Sequence, residues 1–76
     1  MYAFSKTLQF LDHTRHYSIA ITDEGWELRE ERDSELVRQA RFQDWHRVER
    51  ATRSISIELD DLRTKGWEEV ATSQFQ

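Results

Sequence analysis

Five arginines, Arg38, Arg41, Arg47, Arg50 and Arg53, crowd one stretch of the chain against only two acids, Asp44 and Glu49. A guanidinium presents a planar fork of donors that fits phosphate or carboxylate, so this stretch is the first candidate binding element. Its neighbours carry the opposite charge. From Asp23 to Glu35 seven acids face two arginines, and from Glu58 to Glu69 five acids face Arg63 and Lys65. The whole chain has a formal charge of −4 and a pI near 5.3. Affinity for nucleic acid is dominated by charge, so this balance disfavours a nucleic-acid partner. Pairing of the arginines with the acidic segment, or with an acidic protein surface, is the expected use.

The other reactive side chains are sparse. His13 and His16 have H-x-x-H spacing next to Asp12, but convincing metal sites add further ligands on rigid elements. With no cysteine in the chain, disulfides and thiolate metal sites are excluded. There is no glycine-rich phosphate loop and no Gly-x-Ser-x-Gly elbow. General acid–base work needs a carboxyl shifted by burial or a close neighbour, and the paired acids fall in a highly charged segment. The reading is therefore no enzyme, no metal and no cofactor. Ile57 completes the candidate set, because it falls opposite the apolar stripe of its helix and could centre a protein contact.

The elements that must position these residues follow from periodicity. Tyr2, Phe4, Leu8 and Phe10 share one parity, interrupted by Lys6, and form a first strand. After a polar gap from Asp12 to Arg15, Tyr17, Ile19 and Ile21 alternate with His16, Ser18 and Ala20 in a second strand. Thr22-Asp23-Glu24-Gly25 is hairpin chemistry. Trp26 and Leu28 open a third strand whose second half, Arg29 to Arg32, is all charged and is expected in solvent. Asp33-Ser34 marks a turn. Leu36 to Phe42 is a fourth strand with Ala40 and Phe42 inward and an ambiguous register at the adjacent Leu36 and Val37.

Asp44 then caps a helix expected from Trp45 to about Lys65. Val48, Thr52, Ile55, Leu59 and Leu62, joined by Ala51, should face the sheet. Gly66 stops the helix, Trp67 and Val70 return to the sheet edge, and Ser73 to Gln76 fray. Phe10, Tyr17, Ile19, Ile21, Trp26, Phe42 and Trp45 are the expected buried residues. The fold class is α+β, an antiparallel four- to five-stranded sheet packed against one long C-terminal helix. It forms a single domain over residues 1–76 with an ordered core of about 4–70.

This order of elements resembles the small bacterial WGR domain family. The matching residues are Phe10-Leu11-Asp12, the aromatic-led Tyr17-Ser18-Ile19-Ala20-Ile21, Phe42 before the helix, and the closing Lys65-Gly66-Trp67-Glu68. The resemblance runs over about residues 6 to 70. The Trp-Gly-Arg triplet has no counterpart, since Arg29-Glu30-Glu31-Arg32-Asp33 stands where it would lie. WGR domains contact DNA or other domains, notably in poly(ADP-ribose) polymerases; the diagnostic arginine of that contact has no equivalent here.

Together these readings set the functional expectation. The chain is expected to be a non-enzymatic interaction module that binds a protein partner or forms a homo-oligomer. The alternative is a nucleic-acid-binding module using Arg38, Arg41, Arg47, Arg50 and Arg53. Lacking a membrane-length apolar run and an export-type N-terminus, it is expected in the cytoplasm.

Overall fold

Strand periodicity and turn chemistry build a meander. The computed structural model describes residues 2–70 and contains β1 (Tyr2–Phe10), β2 (His13–Thr22), β3 (Gly25–Arg32), β4 (Glu35–Phe42), α1 (Trp45–Thr64) and β5 (Glu68–Val70). The five strands form one antiparallel sheet in the order β4-β3-β2-β1-β5, and α1 covers one face. The expected fold class is the one observed. The expected fraying of Ser73 to Gln76 lies outside the described residues.

Each connection has a local cause. Asp33 and Ser34 both take left-handed backbone angles, φ 51° and 72°, as a two-residue hairpin requires. The Asp33 carboxylate accepts from the Thr14 amide at 2.9 Å and contacts His13 Nδ1 at 3.1 Å. The amide donation, helped by His13, holds its carboxyl below the ordinary aspartate value. Asp44 accepts from the His46 amide at 3.0 Å as the helix N-cap. At the other end the Gly66 amide bonds to Arg63 O and the Trp67 amide to Leu62 O. That pair of bonds, with Gly66 at φ 106°, is a Schellman stop.

The core is the seam between sheet and helix. Leu8, Tyr17, Ile19 and Leu28 of the sheet are buried against Val48, Ile55, Leu59 and Leu62 of α1. Phe4, Trp26, Ala40, Phe42 and Trp67 border them. Thr52 is half-buried on the same stripe, with its hydroxyl donating to Val48 O at 2.9 Å. Phe10 is half-buried, its ring centroid 5.6 Å from that of Trp67, and the Arg15 guanidinium lies over the Trp67 ring at 4.9 Å.

Three expectations need correction. Ile21 is 47 % exposed and Trp45 49 % exposed. Both sit at the end of the layer where β2 finishes and α1 begins, so each has cover on one side only. Trp45 still leans on Trp26, with ring centroids 5.5 Å apart. The third correction is larger. Glu30 lies in the charged half of β3, yet it is only 3 % exposed. It has the parity of Trp26 and Leu28 and so projects beneath the helix.

Leu36 and Val37 mark a register shift: Glu30 pairs with Arg38 but Glu31 pairs with Leu36. The extra residue is a bulge in the edge strand β4. Both side chains stay largely exposed.

Tyr17 is the largest fully buried side chain, and among the described residues its hydroxyl makes no hydrogen bond of good geometry, with the Arg15 guanidinium its nearest polar neighbour. Burial raises its pKa above the ordinary value. An unsatisfied buried hydroxyl costs about 1–3 kcal/mol. Tyr17→Phe is therefore expected to be neutral or stabilising, by up to ~1 kcal/mol in urea unfolding. A loss beyond ~1 kcal/mol would show that the hydroxyl has a partner in solution.

Candidate functional site

Strand parity separates the arginines that the sequence brings close. Arg38 and Arg41 are three residues apart on β4, so they project to opposite faces. Arg38 pairs across with Glu30 and points to the helix side, while Arg41 pairs with Glu27 on the open side. Arg38 Nη2 lies 3.1 Å from Glu30 Oε1 and 3.5 Å from Glu58 Oε2 of α1. Arg32 Nε holds the other Glu30 oxygen at 3.0 Å. Arg38 is thus a staple between sheet and helix, and Glu30 is a buried carboxylate neutralised from two sides.

On the open face Arg41 Nε is 3.4 Å from Glu27 Oε2, and Gln39 donates to the same oxygen at 2.6 Å. The Gln39 amide, then Arg41, holds the Glu27 carboxyl below its ordinary value. The rest of this face is mostly polar or charged, with Ser5, Thr7, Ser18 and Gln9 beside His16, Arg29 and Glu31, and needs no apolar cover.

The helix arginines behave differently. Arg47, Arg50 and Arg53 are exposed and, among the described residues, make no ion pair. Steps of three residues shift each one around the helix by roughly 60°, so they fan across its outer side. Arg47 and Arg50 end up at the β4 flank and Arg53 on the flank of Trp45. Ile57, 70 % exposed, sits on the outward side of the same helix as expected.

Where α1 passes the β4 edge a groove of about 400 Å³ opens, lined by Phe42, Arg47, Arg50, Ala51 and Ser54. It continues around Phe42 and Arg47 to Arg41, Gln43 and Asp44. The floor is apolar and the rim is basic. The arginine segment therefore places Arg47 and Arg50, unpaired among the described residues, at a groove and two engaged arginines, Arg38 and Arg41, on the strand beside it. The sequence contained no signal for the groove, which depends on how the helix crosses the strand. It did contain the signal for Glu30, because that acid has the parity of Leu28.

The histidines do not converge. His13 reaches Asp33, whereas His16 Nδ1 lies 2.7 Å from Thr7 Oγ1. Among the described residues, no three His, Asp or Glu side chains are grouped to hold a metal. Nor does any helix there have the length and apolarity to cross a membrane. No family model, curated protein or solved structure matches the chain.

At the far edge, Lys6 Nζ contacts Glu69 Oε2 at 3.0 Å and Arg63 contacts Glu69 Oε1. Lys6 chiefly, then Arg63, holds the Glu69 carboxyl below the ordinary glutamate value of 4.5. A depressed folded value means the clasp stabilises the fold above the unfolded value and is lost as the pH falls through the folded one. Glu69→Gln is expected to be less stable than the parent at neutral pH, with the gap shrinking once the pH drops below 4.5. Urea unfolding across that range checks it; a gap independent of pH would contradict the clasp.

Proposed function

We propose that this chain is a non-enzymatic, WGR-like interaction module of the cytoplasm whose binding surface is the β4 edge with the flank of α1 beside it. The observation that carries the reading is the juxtaposition of an eight-residue edge strand with the Phe42–Ala51 groove and two arginines, Arg47 and Arg50, that pair with no acid among the described residues. An edge strand offers unpaired backbone donors and acceptors, a common means of protein recognition. The non-enzymatic reading is supported by the acids whose pKa values move. Glu27, Asp33 and Glu69 are all lowered and stay ionised, the reverse of a carboxyl poised as a general acid.

Nucleic-acid binding is the second reading, favoured by the unpaired Arg47, Arg50 and Arg53. Against it stand the engagement of Arg38 and Arg41 with acids and the net charge of −4. A photo-crosslinking side chain in place of Val37, which is 49 % exposed on the edge, separates the readings in the native cell. Discrete adducts that survive nuclease and vanish with protease are expected. Adducts that collapse on nuclease treatment would favour the second reading.

A further inference from the structure

We infer that the β4 edge takes an extended acidic segment of a partner protein as a sixth strand, with its carboxylates meeting Arg47 and Arg50. This deepens the reading of the domain as a protein-interaction module and rests on it. Three observations lead to the occupant.

The first is the geometry of the edge. From Arg38 to Phe42 the strand keeps regular pairing with β3, and among the described residues no other strand lies on its far side. The shift at Leu36 and Val37 breaks the regular edge at one end, so an added strand has its register bounded there. A strand laid on this edge would alternate its side chains between the two faces. Those on the helix side would enter the groove over Phe42 and Ala51, beneath Arg47 and Arg50. Those on the open side would lie beside Gln39 and Arg41.

The second is charge. The groove and its continuation carry Arg41, Arg47 and Arg50, and the carboxylates nearby are already committed. Asp44 caps the helix, Glu27 holds Arg41 and Gln39, and Glu58 holds Arg38. Arg47 and Arg50 are left with no anionic partner among the described residues. An incoming carboxylate would complete them by charge-assisted, forked hydrogen bonds.

The third decides against a second copy. Two β4 strands paired antiparallel about a two-fold axis would put both helices on the same side of the joined sheet. That would bring both sets of Arg47 and Arg50 to one seam. Like charges gathered there oppose pairing, so the edge selects against itself and for an acid-rich strand.

The test uses the whole chain, ¹⁵N-labelled, titrated with a capped eight-residue peptide alternating Glu and Val. Its controls are the Lys/Val peptide and the Glu/Val peptide N-methylated at alternate residues, which keeps the charge but blocks strand pairing. Expected are amide shifts confined to β4 and the Arg47–Ser54 side of α1. Affinity should fall at least tenfold for each control peptide and for the Arg47→Glu/Arg50→Glu variant, whose spectrum shows whether it is folded. Equal binding of the Lys/Val or N-methylated peptide, shifts confined to the open sheet face, or no shifts at millimolar peptide would overturn the proposal. If the peptide fails while the Val37 crosslinks remain to protein, the acidic strand is wrong and the interaction module stands. Nuclease-sensitive crosslinks would remove both.

Discussion

Leu59→Ala is expected to destabilise the domain by about 2–5 kcal/mol. Leu59 belongs to the buried stripe of α1, one turn from Ile55 and close to Leu62, and faces the sheet core. Removing three carbons there takes apolar surface out of the core and leaves a void that the sheet, tied by its ladders, cannot fill. A domain of this length has a total stability of roughly 4–11 kcal/mol. The substitution therefore consumes a large share and should lower the melting temperature by roughly 8–40 °C. Thermal unfolding by circular dichroism reads it. A loss below ~0.5 kcal/mol would place Leu59 at the surface and break the helix register. Ile57→Ala, on the opposite side, is the matched control and should change stability by at most ~0.5 kcal/mol.

Gly25→Ala should cost about 2 kcal/mol or more, although it adds one methyl group at a half-exposed turn. Gly25 has φ 130°, a conformation that side-chain-bearing residues rarely adopt. A Cβ there would lie 2.3 Å from the Phe42 carbonyl oxygen. That oxygen is backbone, so the ends of β3 and β4 must separate to admit the methyl. The strain alone is about 1–3 kcal/mol, and the separation disturbs the packing of Phe42. The disturbance reaches the groove, so amide shifts should spread from Gly25 to Phe42 and Arg47 while β1 and β5 stay unchanged. A variant as stable as the parent would mean that the turn relaxes without moving β4.

Much of this fold was readable from residue types. Asp44 and Gly66 bracket α1, and Val48, Ile55, Leu59 and Leu62 lie on its buried side as their spacing required. Strand parity placed Tyr17, Ile19, Ala40 and Phe42 inward. It failed where residue chemistry was allowed to overrule it. Glu30 is an acid among charges, which points to solvent, yet its parity puts it under the helix with Arg32 and Arg38 as partners. Ile21 and Trp45 failed for a different reason. They are apolar and in register, but the layer ends beside them, and the extent of cover is a tertiary quantity.

The site was less legible. The arginine cluster was visible, and period-two geometry already implied that Arg38 and Arg41 diverge. Which guanidinium groups stay unpaired depends on Glu30, Glu58 and Glu27 reaching them through the fold. The groove exists only because α1 crosses at the β4 edge, and no local pattern records that crossing.

The central claim is that the arginines at this edge serve a protein partner and not nucleic acid. Fluorescence-anisotropy titration of labelled duplex DNA and RNA, repeated from low salt to about 150 mM, tests it most directly. Any binding at low salt should weaken steeply with salt and be absent at micromolar protein near 150 mM. Micromolar or tighter binding at that salt, reduced along with its salt slope by Arg47→Ala, Arg50→Ala and Arg53→Ala together, would contradict the claim.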